Sequence, residues 1–110
     1  MKVRWTRNAA ADLADIVGFV AEDNPKAAAA LAQKIKDTVR KAERFPRSGR
    51  VVPEIGNDRI REIIVGHYRI IYRLASKSLQ ILSVFEGHRL FPLKIQENKN
   101  MEEKNERERD

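Results

Sequence analysis

The stretch REIIVGHYRIIYRL, residues 61–74, sets Arg61, Arg69 and Arg73 among β-branched and aromatic residues, and His88-Arg89 follows further along the chain. Guanidinium groups offer a planar fork of donors that suits phosphate or carboxylate oxygens, and they stay charged at any physiological pH. Several of them converging on one surface repel one another, a cost that an anionic partner relieves. Arg59 is close enough in sequence to join the group. A histidine beside such a cluster changes charge near neutral pH, which makes His88 the candidate acid or base. Spacing alone favours a plainer reading, since antiparallel sheets with one solvated face carry charges there as a matter of course.

Other chemistries find little support. The chain has no cysteine, so disulfides and thiolate metal sites are excluded. Its two histidines, His67 and His88, come without the carboxylate spacing that zinc requires. No Ser-His-Asp set and no glycine-rich phosphate loop is present, which argues against general metabolic catalysis and implies neither metal nor organic cofactor. His67 falls in a tight turn and reads as a surface residue. Alternation puts Glu62 on the face opposite Arg61, so it is not expected to serve as a base; Glu86 is expected to pair with a nearby arginine. Tyr68 and Tyr72 read as core residues with hydroxyls at the edge.

The 110 residues suffice for one small domain with a single two-layer core. Residues 93–110 hold five basic and six acidic side chains, a net of −1; the preceding 92 hold 17 basic and 10 acidic, a net of +7. A body that basic suits a polyanion or an acidic protein segment, and charge alone does not choose between them. The N-terminal MKVRWTR lacks an apolar signal core, and no run of about 18 apolar residues exists to span a bilayer. A cytoplasmic protein with no membrane partner is expected.

The elements that must position these residues follow from pattern. KVRWT alternates as a short first strand. Thr6 or Asn8 can cap a helix through about Glu22, with Leu13, Ile16, Val17 and Val20 on one stripe. Asn24-Pro25 stops that helix and starts a second, which carries Leu31, Ile35 and Val39 inward and ends near Phe45-Pro46. Small alanines at the contact let the two helices approach closely as a hairpin. Residues 46–58, with two prolines and two glycines, read as an ordered loop. Strands are expected at about 59–65, 68–75 and 78–86, the first two joined at Gly66-His67 in a type II′ turn. On the middle strand Tyr68, Ile70, Tyr72 and Leu74 face the helices, while Arg69, Ile71 and Arg73 face outward or into a shallow concavity. The expectation is an α+β fold of order β-α-α-β-β-β, a helical hairpin on one face of a mainly antiparallel four-stranded sheet. Residues 1–92 form the domain, and 93–110 make a charged tail too poor in apolar side chains to order itself.

The order of elements, with "RSGRVVPE", "IREIIVGHYRIIYRL" and "LQILSVFEGHRLF", resembles the RelE/ParE superfamily of toxins from type II toxin–antitoxin modules. "AAADLADIVGFVAEDNP" before an alanine-rich helix fits the same pattern. The resemblance spans residues 1–92, and it implies a growth-inhibiting protein of the plasmid-stabilisation kind. RelE-like members are ribosome-dependent, metal-independent mRNA endoribonucleases whose basic side chains stabilise a pentacovalent phosphate. On that branch Arg69 matches the arginine of the GxYR block, Arg61 lies near the basic positions one strand earlier, Arg89 matches the basic site after the last strand, and His88 stands beside it. The aromatic hydroxyl expected soon afterwards is replaced by Leu90-Phe91-Pro92-Leu93, and lysines are missing from residues 59–65.

ParE-like members share the fold, usually lack the nuclease set, and in characterised cases poison DNA gyrase. The missing tyrosine and the long hairpin of residues 7–44 tilt the resemblance toward this branch. A third alternative is an inactive homologue or a plain nucleic-acid-binding module. The toxin branches imply a cognate antitoxin whose acidic segment wraps the toxin, in a dimer or a toxin–antitoxin heterotetramer. Arg59, Arg61, Arg69, Arg73 and Arg89, with Leu13, Val17 and Val20 beside the hairpin, are the expected target- or antitoxin-binding residues.

Overall fold

The computed structural model describes residues 1–88 and 91–92. The strand β1 (Lys2–Trp5) leads into two helices, α1 (Arg7–Asp23) and α2 (Pro25–Arg44). Four strands follow: β2 (Arg50–Val51), β3 (Ile60–Val65), β4 (Tyr68–Leu74) and β5 (Ser78–Glu86). The sheet order is β1-β5-β4-β3-β2, with β1 parallel to β5 and the other neighbours antiparallel. The expected α+β class holds, but the sheet has five strands instead of four. The extra strand lies inside the 46–58 segment read as loop: Arg50 pairs with Glu62 and Val51 with Arg61. Two residues are too few for alternation to register in sequence.

Local signals set the helices. The Thr6 hydroxyl accepts from the Ala9 N–H and caps α1; Asn24 accepts from Ala27 and caps α2, with Pro25 at its first position. The second helix stops at Phe45, just before Pro46. Gly66 has φ +58 and His67 has none positive, as the type II′ turn requires.

The main core lies between the helices and one sheet face, where Ile35 and Val39 meet Ile70, Tyr72, Leu79, Ile81 and Val84. Past Ile81, β1 gives way to α1 and β5 loses its parallel neighbour, and a register shift opposite Ile71/Tyr72 falls at the same place. Side chains of α1 replace the missing strand. Thr6 donates to the Ile81 carbonyl (2.7 Å), Asn8 donates to the Leu82 carbonyl (3.0 Å), and Asp12 accepts from the Ser83 hydroxyl (2.7 Å) and the Val84 N–H (3.1 Å). These bonds satisfy backbone groups that burial would otherwise leave orphaned.

The opposite sheet face is not the wet surface expected for it. Val52 and Ile55, from the segment after β2, fold back onto Ile60, Ile71, Leu82 and Phe85 as a second buried cluster, and Phe91 packs against it. The middle strand β4 is therefore buried on both sides, with Ile70, Ile71 and Tyr72 all fully shielded. Of the expected site and tail residues, Arg89 and residues 93–110 lie outside the described part of the chain.

Candidate functional site

Arg69 sits on β4 facing this second cluster and is only 7% exposed. Its Nε donates to Glu62 Oε2 at 2.6 Å, while Nη1 and Nη2 donate to the two oxygens of Glu54 at 2.7 and 2.9 Å. Glu62, buried on β3, gives its other oxygen to the Nε of Arg50 on β2. Register explains the meeting: Glu62 is the neighbour of Ile71 on β4 and of Arg50 on β2, so Arg69 reaches it diagonally from the same face. The guanidinium carbon of Arg69 lies 5.3 Å from the centroid of the Phe85 ring and 5.4 Å from that of Phe91. The Arg69 hydrogen bond holds the Glu54 carboxyl below the usual carboxylate range, against partial desolvation. In return the Glu54 hydrogen bond, ahead of Glu62, fixes the guanidinium still more firmly in its charged form.

Arg61 does not join Arg69. It pairs across the sheet with Tyr72 and so lies on the helix-side face, where the expected convergence of arginines fails. Its Nη1 donates to the Gly49 carbonyl at 2.9 Å, and its Nε and Nη2 donate to the Asp58 backbone and carboxylate at 3.0 and 2.8 Å. Asp58, also bound by Arg47 at 2.7 Å, has its pKa lowered chiefly by that Arg47 hydrogen bond. Next to it Gly49 donates its N–H to the Tyr72 hydroxyl (3.0 Å), which donates to the Pro46 carbonyl (2.7 Å). A Cβ on Gly49 would come within 2.6 Å of both the Glu62 carbonyl and that hydroxyl, so only glycine fits. Burial pushes the Tyr72 phenol up, which suits a structural hydroxyl.

Of the remaining expected residues, His88 lines with Arg69 a depression of about 320 Å³ that Arg50, His67 and Tyr68 also border, while Arg59 and Arg73 lie outside it. Arg73 donates to Gln80 across β4 and β5, and Arg59 donates to the Leu74 carbonyl at 3.3 Å. His88 is exposed and 3.1 Å from Glu86; that acid was expected to pair with an arginine. Sequence reasoning missed Glu54 and Glu62 as partners of Arg69, and Arg50 as the second partner of Glu62. The available signal was the apolar content of the arginine face itself, where Ile71 sits between Arg69 and Arg73, and of the loop, where Val51, Val52 and Ile55 fall within five residues.

The hairpin stripe does leave an open surface. A groove of about 370 Å³ runs between the helices beside Trp5. Ala10, Ala14 and Ala32 leave room for it because a methyl fills so little space, and Leu13 and Val17 wall it. Leu13, Val17 and Val20 are all half-buried, with Val20 outside the groove lining. Apolar walls left uncovered suit the apolar face of a partner segment.

Comparison with known proteins agrees with this architecture. Residues 3–91 match the family model described as "ParE toxin of type II toxin-antitoxin system, parDE". The protein named "Putative toxin Y4kP" from Sinorhizobium fredii (strain NBRC 101917 / NGR234) is 32% identical over 96 residues, covering 83% of this chain and 93% of that protein. A chain of the solved structure titled "Chromosomal ParDE TA system from P. aeruginosa" superposes with a TM-score of 0.67 at 26% identity, covering 78% of this chain and 95% of that one. With the family match running through both helices, the five strands and Phe91, the chain belongs to the ParE toxin family of type II toxin–antitoxin systems.

Proposed function

We propose that the chain arrests growth by binding DNA gyrase in the cytoplasm, without catalysis of its own, and that a cognate antitoxin neutralises it. The observation that carries this reading is the engagement of Arg69. At the position where the nuclease branch needs a guanidinium for the scissile phosphate, this chain holds one committed to two carboxylates and flanked by two phenylalanines. Freeing it would leave the buried Glu62 with Arg50 alone and would unpair Glu54, which opposes any release of the guanidinium to a substrate. Arg61 is spent on holding the 47–58 segment. The antitoxin segment takes the groove between the helices, its apolar side chains against Leu13 and Val17.

Purified chain added to gyrase and relaxed plasmid tests both parts. Inhibition of supercoiling, relieved by the antitoxin and accompanied by no cleavage of ribosome-bound mRNA, is the expected result. Leu13→Glu should keep the inhibition and lose the relief. Cleavage of mRNA without any effect on supercoiling would overturn the proposal.

A further inference from the structure

A cavity of about 640 Å³ lies where the C-terminus of α2 and the segment after it meet the β4–β5 turn. That volume falls within the range of about 300–1,000 Å³ usual for small-molecule sites. Its apolar part is formed by Phe45, Pro46 and Leu74 with the Met1 side chain. Phe45 is 63% exposed and belongs to neither buried cluster, so its ring does nothing for the core. The Arg44 guanidinium carbon stands 5.6 Å from the centre of that ring, and Arg44 has no acidic partner among the described residues.

The charge around this cavity is positive. Arg44, Arg47 and Arg59 stand in its lining, which includes no acidic residue. Asp58 lies outside the lining and serves two cations at once, Arg47 at 2.7 Å and Arg61 at 2.8 Å. The Arg47–Asp58 pair is exposed on both sides, of the kind that contributes little and is readily exchanged. Arg59 is held at the Leu74 carbonyl. The last carbonyls of α2 bring partial negative charge to this end, and Lys41 and Arg44 in the last turn offset it.

A ligand that answers both features joins a flat ring to a dense negative charge. A purine or pyrimidine base stacks on an exposed aromatic ring whatever its sequence context, and arginine adds to that stacking. One phosphate group carries enough charge and enough acceptor oxygens to take two guanidiniums together, which a single carboxylate does less well. We propose that the Phe45 cavity binds a nucleoside phosphate, either free or as one nucleotide of a single strand. The base lies on Phe45, and the phosphate sits between Arg44 and Arg47. Ser76, in the β4–β5 turn, presents a hydroxyl in the lining for the sugar. The site is separate from the groove between the helices and does not rest on gyrase being the target.

The test is isothermal titration calorimetry of the full chain with AMP, with a single-stranded hexamer of deoxyadenylate, and with inorganic phosphate. AMP should bind, and phosphate alone should bind at least tenfold more weakly. Phe45→Ala should weaken AMP roughly tenfold, as loss of one base-stacking ring does, while Phe45→Trp should retain it. Arg44→Gln with Arg47→Gln should weaken it comparably and flatten its dependence on salt. Lys26→Glu, at the far end of α2, should leave it unchanged, and circular dichroism checks that each variant folds. A hexamer that binds no tighter than AMP supports the proposal with a free nucleotide as ligand; a tighter hexamer, equally sensitive to Phe45→Ala, supports it with a strand. Absence of binding by both AMP and the hexamer, phosphate binding as tightly as AMP, or an unchanged affinity in Phe45→Ala would overturn the proposal. So would tighter, competing binding by an acidic peptide of similar length.

Discussion

Arg69 on β4 and Glu54 on the segment after β2 meet through two parallel hydrogen bonds of 2.7 and 2.9 Å, which pin that segment over the second buried cluster. Bidentate pairing of this kind fixes orientation as well as contributing energy. The face expected to be a wet surface of arginines is thereby largely buried, with Arg69 bordering a depression beside Arg50 and His88.

Removing Glu62 tests that layer. Glu62→Leu leaves Arg69 buried with Glu54 alone and should lower the unfolding free energy by about 3–5 kcal/mol in urea titration. Adding Arg69→Met should recover most of the loss, since an apolar pair of similar volume suits the surroundings of Ile71 and Phe85. On the proposed reading, in which Arg69 holds the fold and takes no part in catalysis, the double variant should still arrest growth. A double variant as unstable as the single one would show that the ion pair is worth more than its packing.

Acid should weaken the same contact. The Glu54 pKa is lowered in the folded chain, so below its usual value near 4.5 the unfolded state binds more protons. The stabilisation is present above that pH and is lost as pH falls through the folded pKa; Asp58 acts in the same sense. Urea midpoints measured between about pH 6 and 3 should fall less steeply for Glu54→Gln than for the native chain. Parallel slopes would remove Glu54 from the account.

Two glycines should respond in opposite directions. Gly49→Ala forces a methyl into the Glu62 carbonyl and the Tyr72 hydroxyl and should cost about 1–3 kcal/mol, as overpacking does. Gly18 lies in α1 with open space where a Cβ would be, so Gly18→Ala should stabilise by about 0.5–1 kcal/mol. A Gly49→Ala melt at or above that of the native chain would contradict the packing described for Gly49, and a lowered Gly18→Ala melt would contradict the open space at Gly18.

Much of this architecture can be read in the sequence because its causes are local. Thr6 and Asn24-Pro25 mark the helix starts, Phe45-Pro46 the end, and Gly66-His67 the hairpin, each through chemistry within a few residues. What could not be read depends on distant partners. Alternation places Arg69 on a face, yet whether that face meets water depends on Val52 and Ile55 folding back from a loop, which periodicity does not encode. Arg61 was misplaced because strand register, pairing it with Tyr72, was unknown. Leu13 and Val17, which the family resemblance and not the stripe marked as expected binding residues, wall a groove between the helices.

Parallel pulse labelling with thymidine and methionine, in the first minutes after the chain is induced in bacteria lacking the antitoxin, tests the central claim most directly. Thymidine incorporation should fall first, with translation intact, and Arg69→Met with Glu62→Leu should behave the same way. Early loss of methionine incorporation would contradict the account and return the arginines to a catalytic role.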